Sequence, residues 1–171
     1  MMEAGGKPPR NWRAFSILVG LLTLPLIAID QLSKHYISTH MTLYDSIPII
    51  PNWFDITYTQ NPGAAFSMFA NVSPAFRSVF LFALSSAAIV VLLVLLAETR
   101  KISVTSIALA LILAGASGNL IDRAVRGRVV DFVRVHYYNL SYPIFNVADS
   151  AISIGVLLII LATLFAPKEK A

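Results

Sequence analysis

The sequence predicts an all-α membrane protein with four transmembrane helices and a small β-rich cradle or flap at the outer face of the membrane. Three observations support this fold class. The chain is 57% hydrophobic and only 13% charged, with a mean hydropathy of +0.72, outside the usual range of soluble domains. Four long runs carry no charged side chain, and the segment between the first two is rich in β-branched and aromatic residues. A length of 171 residues fits a single integral-membrane domain over 1–171.

Composition also excludes several classes of function. Without cysteine, the chain cannot form disulfides, zinc–thiolate sites or a cysteine nucleophile. The net charge of +4 is spread along the chain instead of gathered in a basic run, which is typical of loops that flank membrane spans. We therefore expect membrane lipids, and no nucleic acid, as partners. The histidines are scattered and no H-E-x-x-H motif occurs, so no metal or other cofactor is predicted.

Each uncharged run is close to the length of a membrane span. A helix needs roughly 20 apolar residues to cross about 30 Å of hydrocarbon, and the runs predict spans at approximately 14–35, 78–97, 102–121 and 148–166. The first run is short, but it can continue to Lys34, whose aliphatic stem allows the ammonium to reach the interface. Its length and the polar continuation at Asp30 favour a retained anchor over a cleaved signal peptide.

The acidic residues indicate the topology. Four spans place both termini on one side, and all three glutamates lie on that side, whereas all six aspartates lie at or beyond the opposite face. The short tails and the tight turn at 98–101 are typical of the cytoplasmic side. We therefore predict cytoplasmic termini, with the aspartate-rich segments 36–73 and 122–147 at the outer face.

The end of the first predicted helix carries the motif D-Q-L-S-K, which places Asp30 and Lys34 four residues apart on one face. Two interpretations fit this spacing. The residues could form an interfacial ion pair of little energetic value, or Asp30 could order the loops outside the membrane. The sequence favours neither.

The outer segment at 36–73 contains a predicted strand. Residues 53–59 are β-branched and aromatic, follow two prolines and precede the turn Asn61-Pro62-Gly63. The small and aromatic patch at 64–69, together with the nearby tryptophan and tyrosines, would suit the headgroup layer. Both a flap that covers a site and an ordinary interfacial loop are consistent with this composition.

The second and third predicted helices differ in polarity. The second is almost entirely Leu, Val and Ala, and we assign it to packing. The third ends in Gly115 and Gly118, whose spacing predicts the close approach of a neighbouring helix. Asn119, Asp122 and Arg123 then follow on one face. Arg123 is either a local partner on that face or a fixed donor that holds a loop or a substrate carbonyl.

Two aspartates precede or begin the fourth span. Residues 128–135 alternate as a short strand that places Asp131 among valines, where poor solvation raises the pKa of a carboxylate. Asn146 and Asp149 are spaced as a helix-capping box, which is the structural alternative to a catalytic role. Ser150 and Ser153 continue the polar face of Asp149 into the span, and a simple cap does not need this continuation.

Paired carboxylates at a membrane face predict a membrane-embedded aspartic peptidase with Asp131 and Asp149 as its catalytic residues. In this chemistry one carboxylate activates water and the other hydrogen-bonds the scissile carbonyl. Two charges about 5 Å apart at an effective dielectric of about 20 repel by on the order of 3 kcal/mol, or about two pKa units. Such a pair retains one shared proton near neutral pH.

Two other classes of protein also fit these residues. A four-span transporter or lipid-binding scaffold would place polar residues at helix ends. Transporters, however, favour charges near the midplane and internal repeats, whereas here the aspartates gather at one face and no repeat is evident. In a purely structural subunit, the interfacial aspartates would be incidental.

Five sequence blocks together resemble the bacterial lipoprotein signal peptidase family, also called signal peptidase II. They are D-Q-L-S-K at Asp30, N-P-G-A-A-F at Asn61, G-A-S-G-N-L-I-D-R at Gly115, V-V-D-F at Val129 and F-N-V-A-D at Phe145. Each block alone is weak, but five in the family's order on four spans are specific. Ala116 stands where the family often has a second glycine, a small substitution that affects only fine packing.

The resemblance implies a function and a set of site residues. It implies that Asp131 and Asp149 form a catalytic dyad that cuts diacylglyceryl-modified prolipoproteins on the amino side of the lipidated lipobox cysteine. It also implies a multi-pass protein of the bacterial cytoplasmic (inner) membrane, monomeric and without a cofactor. The residues expected to support the site or contact the substrate are Asp30, Lys34, Asn61, Gly63, Asn119, Asp122, Arg123, Asn146 and Ala148.

Overall fold

A computed structural model describes residues 10–63 and 73–165. Within these residues the chain forms four helices that are long and apolar enough to cross a membrane, which confirms the predicted fold class. They are α1 (Trp12–His40), α2 (Pro74–Ala97), α3 (Val104–Arg126) and α4 (Val147–Leu164). The Ala64–Phe69 patch of the sequence, predicted to belong to a flap or loop, lies outside the described residues.

Helix α1 is longer than the predicted span at both ends. Asn11 caps its first turn by accepting a hydrogen bond from the Ala14 N–H. A π-helical turn, Val19–Thr23, precedes Pro25, whose ring removes one α-helical hydrogen bond. Beyond the apolar run the helix continues to His40, and the hydroxyls of Ser38 and Thr39 donate to the His35 carbonyl within it.

Helix α3 also extends beyond its predicted end. It begins at a capping box formed by Ser103 and Ser106, and it ends at Gly127, whose φ of 70° terminates helices readily. Asp122 and Arg126 are paired on its last turn. The polar residues predicted to follow the span are therefore part of the helix, and they turn inward.

Small residues allow α3 and α4 to pack closely, as the glycine spacing predicts. A Cβ atom on Gly115 would collide with the Ala148 carbonyl oxygen, and one on Gly118 would collide with the Asp30 carboxylate. Gly155 faces α3 in the same way, against the Ala108 carbonyl. These contacts bring the start of α4 against the ends of α1 and α3.

A four-stranded antiparallel sheet joins the helix ends. Its strands are β1 (Ser46–Ile50), β2 (Phe54–Asn61), β3 (Val129–Tyr137) and β4 (Leu140–Ser141), paired in that order. Strands β2 and β3 correspond to the two predicted strands, whereas β1 and β4 were not predicted. Strand β1 contains Pro48, which a strand tolerates at the edge of a sheet because no ladder hydrogen bond is lost there.

Polar and apolar side chains are distributed as expected for a membrane protein. Large apolar side chains such as Leu21 (77% exposed) and Val79 (68% exposed) cover the outsides of the helices, where lipid replaces water. The buried set, by contrast, is rich in polar side chains: Asp30, Lys34, Asp55, Asn119, Asp122, Asp131 and Asn146. These residues, apart from Asp55, converge where α1, α3, α4 and β3 meet.

Candidate active site

A largely buried charge cluster lies beneath the candidate site. We call Asp30, Gln31, Lys34, Asp122 and Arg126 the Lys34 cluster. The Lys34 ammonium is 2.9 Å from Asp30 Oδ2 and 3.0 Å from Asp122 Oδ2, and its side chain is 0% exposed. The pair predicted from D-Q-L-S-K is therefore a buried one. Because Asp30 Oδ1 also accepts from the Ala148 N–H at 2.9 Å, the pair fixes the start of α4.

Two residues of the Lys34 cluster were not predicted. Gln31 Nε2 donates to the Gly118 carbonyl at 3.0 Å, and its Oε1 accepts from Arg126. Arg126 also pairs with Asp122, four residues earlier in α3. This i, i+4 spacing could have identified Arg126 from the sequence. Gln31 lies inside the D-Q-L-S-K block, but its contacts with Gly118, Asp122 and Arg126 are 87 to 95 residues away and could not be predicted from spacing.

Two amide side chains connect this cluster to the proposed catalytic residues. Asn119 Oδ1 accepts from Lys34 at 2.9 Å, and its Nδ2 donates to Asp149 Oδ1 at 2.8 Å. Asn146 Nδ2 donates to Asp131 Oδ1 at 2.7 Å and to Asn119 Oδ1 at 3.3 Å. A continuous chain of hydrogen bonds therefore runs from one aspartate through both amides to the other.

Asp131 and Asp149 line the same cavity. This aspartate cavity has a volume of about 260 Å³, and its other walls are Asn61 and residues 142–145. Asp131 comes from β3, opposite Thr59 of β2, and Asp149 comes from the first turn of α4. Neither aspartate forms an ion pair within residues 10–63 and 73–165. Asp131 is buried and Asp149 is half-buried, and two poorly solvated carboxylates without a paired cation are suited to sharing a proton.

The environment of Asp131 raises its pKa to about 7, and burial is the largest cause. The negative charge of Asp149 raises it further. Hydrogen bonds from the Asn61 and Asn146 side chains and the positive charge of Lys34 oppose these effects. Near neutral pH, Asp131 therefore lies close to its titration midpoint, which is the condition for a group that both donates and accepts protons.

The capping box at the start of α4 is also present. Asn146 Oδ1 accepts from the Asp149 N–H at 2.9 Å, and Asp149 Oδ2 accepts from the Asn146 N–H at 3.3 Å. The capping box predicted from the spacing of Asn146 and Asp149 is thus confirmed. The same two side chains nevertheless face the aspartate cavity and the amide chain, so the cap also fixes the orientation of Asp149.

Asn61, Gly63 and Arg123 lie at the rim of the site. Gly63 adopts φ of 86°, and its N–H donates to Asn61 Oδ1 at 2.8 Å, which closes the turn after β2. Arg123 Nη1 donates to the Asn119 carbonyl of its own helix at 3.2 Å. Asn61 and Arg123 also line a small crevice with Ser78 of α2. Arg123 thus has the predicted local partner and also lies beside the loop at Asn61.

A second cavity continues from Asp149 along α4. It has a volume of about 280 Å³, and we call it the α4 groove. It is lined by Tyr142, Phe145, Asp149, Ser150, Ser153 and Ile154. Three of these side chains also line the aspartate cavity. The polar face predicted on the fourth span thus opens directly onto the proposed catalytic residues.

Comparisons with known proteins place this architecture in a family. Residues 22–165 match the family model described as "Signal peptidase (SPase) II". The chain belongs to the signal peptidase II family. It is therefore a membrane-spanning protease of the lipoprotein-processing class. The five sequence blocks, and all of the proposed site residues, fall within the matched region.

Similarity to individual relatives covers nearly the whole chain. The lipoprotein signal peptidase of Syntrophus aciditrophicus is 41% identical over 158 residues, covering 92% of this chain and 96% of the relative. That of Yersinia enterocolitica is 40% identical over 149 residues, covering 87% and 88%. A solved bacterial membrane enzyme, determined by the in meso method at 2.3 Å, superposes with a TM-score of 0.78 at 32% identity, covering 97% of this chain and 99% of that one.

Proposed function

We propose that this protein is an aspartic endopeptidase that removes signal peptides from diacylglyceryl-modified prolipoproteins, cutting on the amino side of the lipidated cysteine. The observation that carries the proposal is that Asp131 and Asp149 line one cavity, are joined by amides and, within residues 10–63 and 73–165, have no paired cation. Family membership supports the protease activity, and the relatives are lipoprotein signal peptidases.

The reaction follows from one proton held by the two aspartates. The ionised carboxylate accepts a proton from water as the water oxygen attacks the scissile carbonyl carbon. The protonated carboxyl donates its proton to the carbonyl oxygen, which gives a neutral tetrahedral intermediate. When the C–N bond breaks, the leaving amine takes a proton from the dyad, and the hydroxyl of the intermediate returns one. The dyad therefore ends with one proton, ready for another turnover.

The two cavities suggest how a lipidated substrate would bind. The aspartate cavity lies at the level where the sheet meets the helix ends, and the α4 groove continues from it along a membrane span. We infer that the extended lipobox occupies the aspartate cavity, while the apolar part of the substrate lies along the α4 groove. Asn61 and Arg123, at the rim, would donate hydrogen bonds to the peptide backbone.

The same proposal covers topology and organisation. We propose that residues 1–171 form one membrane domain that acts as a monomer in the bacterial cytoplasmic membrane, with both termini cytoplasmic. The sheet and the aspartate cavity would then lie at the outer face, where prolipoproteins emerge. The grouping of all six aspartates at one face, opposite the short tails and the tight turn at 98–101, supports this orientation.

Cleavage of a defined substrate tests the proposal. The purified protein is incubated with a lipobox peptide that carries an S-diacylglyceryl cysteine, and the cleavage position is determined by mass spectrometry. Asp131→Asn and Asp149→Asn should each lower the rate by on the order of 10⁴-fold, because proton transfer is lost. Asp45→Asn, at an exposed aspartate, is the matched control and should cleave normally. Cleavage by either catalytic variant at the control rate would refute the dyad, whereas a transporter or scaffold would not cleave at all.

A further inference from the structure

The Lys34 ammonium has all three of its hydrogens engaged. It lies 2.9 Å from Asp30 Oδ2, 3.0 Å from Asp122 Oδ2 and 2.9 Å from Asn119 Oδ1. A lysine ammonium has three donors and no acceptor, so this arrangement satisfies it completely. Burying such a pair seldom stabilises a protein more than apolar side chains of the same size would. Fold stability alone therefore does not explain why this cation is present.

The first of the three Lys34 contacts, with Asp30, leads to the backbone beside Asp149. Asp30 holds Lys34 with Oδ2 and accepts the Ala148 N–H with Oδ1 at 2.9 Å. Ala148 immediately precedes Asp149 and is itself buried. A shift of the Lys34 ammonium would therefore move Asp30, and with it the backbone that carries Asp149.

The second Lys34 contact, with Asp122, leads to the backbone beside Asp131. Asp122 holds Lys34 with Oδ2, and the same oxygen accepts the Val130 N–H at 3.1 Å. Val130 immediately precedes Asp131 and is 1% exposed. The second oxygen of Asp122 pairs with Arg126, so the carboxylate is held from both sides. The backbone on the amino side of each proposed catalytic residue thus depends on a carboxylate that Lys34 binds.

The third Lys34 contact, with Asn119, leads to the dyad through the Asn119 side chain. Asn119 Oδ1 accepts from both Lys34 and Asn146, and its Nδ2 donates to Asp149 Oδ1 at 2.8 Å. Because an ammonium can only donate, it must face the oxygen of the amide. A flipped Asn119 would direct its NH₂ group at Lys34 and its oxygen at the Asp149 carboxylate. Lys34 therefore fixes the amide orientation that serves the dyad.

We propose that Lys34 is a positioning residue for the dyad, one that holds the Asn119 amide toward Asp149 and, through Asp30 and Asp122, sets the backbone beside both aspartates. The inference rests on the proposed function, because it assigns Lys34 a part in the same reaction. It differs from a role in stability alone, which any charge-balanced replacement would satisfy.

A charge-balanced variant separates the two roles. Lys34→Met combined with Asp30→Asn removes one charge of each sign, and the introduced amide oxygen can still accept from the Ala148 N–H. We expect kcat for the diacylated lipobox peptide to fall about a hundredfold, the scale of a misplaced catalytic group. KM should change by less than about threefold, since substrate contacts remain. Lys101→Met, in an exposed loop, is the matched control.

The pH dependence of kcat provides a second test, because a role of Lys34 in fold stability alone would not change it. The positive charge of Lys34 lowers the pKa of Asp131. Removing this charge should therefore raise the pKa of Asp131 and shift the limb of the profile that reports Asp131 to higher pH. Because the charge of Asp30 also acts on the dyad, Asp30→Asn alone is the reference for this profile. A Lys34→Met/Asp30→Asn protein with wild-type kcat and an unshifted profile would overturn the proposal.

Asn119→Leu answers the same question without disturbing the pairs of Lys34 with Asp30 and Asp122. It should reproduce part of the loss of kcat, and combining it with the Lys34→Met/Asp30→Asn change should cost less than the sum of the two losses, because the two changes share the contact between Lys34 and Asn119. Wild-type kcat in Asn119→Leu, or fully additive losses, would contradict the proposal even if the double variant failed to fold. Asp131→Asn and Asp149→Asn are assayed alongside: cleavage by those variants refutes the dyad itself, whereas their inactivity with a fully active Lys34→Met/Asp30→Asn enzyme refutes only the role of Lys34.

Discussion

Two pairs of aspartates lie next to each other in this protein, and they differ in their partners. Asp30 and Asp122 are fully buried and share Lys34, with Arg126 also on Asp122. Asp131 and Asp149 receive hydrogen bonds from amides and line a cavity. The first pair is neutralised by fixed cations. The second has no such cation among the described residues, and we propose that a shared proton neutralises it.

This difference shows how a membrane protein can use the same side chain for two purposes. A carboxylate paired with a buried cation remains charged and holds backbone N–H groups in place. A carboxylate with only neutral partners in a poorly solvated cavity is free to exchange a proton. Removing a negative charge from the first pair should therefore destabilise the protein, whereas removing one from the second pair should remove charge repulsion.

Removing a charge from the Asp30 and Asp122 pair should have the largest effect on stability. Asp122→Asn leaves the fully buried Lys34 and the partly exposed Arg126 with one negative partner fewer. We expect a loss of about 3–5 kcal/mol in the free energy of unfolding, the usual cost of an uncompensated buried charge. Unfolding in mixed micelles, followed by circular dichroism, measures it. Asp45→Asn is the control, and an equal effect of both changes would show that the cluster is not charge-balanced.

At Asp131 and Asp149, removing a negative charge is expected to stabilise the protein instead of destabilising it. The pKa of Asp131 is raised from 3.8 to about 7 in the folded protein, so between these values the folded state binds more protons than the unfolded state. Stability should therefore fall as pH rises from about 4 to 7, by up to roughly 4 kcal/mol at 1.36 kcal/mol per unit. Asp131→Asn should remove this dependence and be more stable than wild type at pH 8. Parallel pH-dependence in the two proteins would contradict the raised pKa.

Arg123 is expected to contribute a smaller effect, on rate. Arg123→Ala removes a donor at the rim and should lower kcat/KM for the diacylated peptide by about 10- to 100-fold, or roughly 1.4–2.7 kcal/mol. Lys101→Ala, an exposed basic residue at the other end of α3, controls for loss of charge. Indistinguishable rates for the two variants would exclude Arg123 from the site.

The smallest effect is expected in the α4 groove. Ser153→Leu narrows the groove away from the aspartates and should raise KM by a few-fold with kcat unchanged, since only uniform binding is lost. Ile154→Leu, which conserves side-chain volume, is the control. A fall in kcat without a change in KM would mean that the groove does not bind the apolar part of the substrate.

The sequence predicted those features that depend on local composition. The four spans follow from uncharged runs, and strands β2 and β3 follow from β-branched segments bounded by turns. Strand β1, with Pro48, forms because β2 offers it an edge, which no local pattern indicates. Helix α1 continues to His40 beyond the apolar run, with the hydroxyls of Ser38 and Thr39 bonded to a carbonyl of the same helix, and composition alone did not indicate this extension.

The site was predictable residue by residue but not as an arrangement. Family motifs marked Asp30, Lys34 and Asn119 as supporting residues without indicating which residues they contact. That Asp30 binds the Ala148 N–H, 118 residues away, and that Lys34 is fully buried depend on how α1 packs against α3 and α4. Long-range contacts of this kind leave no trace in spacing or periodicity.

Protonation of the dyad is the most direct test of the central claim, that Asp131 and Asp149 share one proton. Infrared difference spectroscopy can follow the C=O stretch of a protonated carboxyl as pH is raised. We predict such a band at pH 6 that disappears through about pH 7 and titrates at lower pH in Asp149→Asn because the repulsion is gone. The absence of any protonated carboxyl above about pH 5 in the wild-type protein, where an ordinary aspartate is ionised, would contradict it.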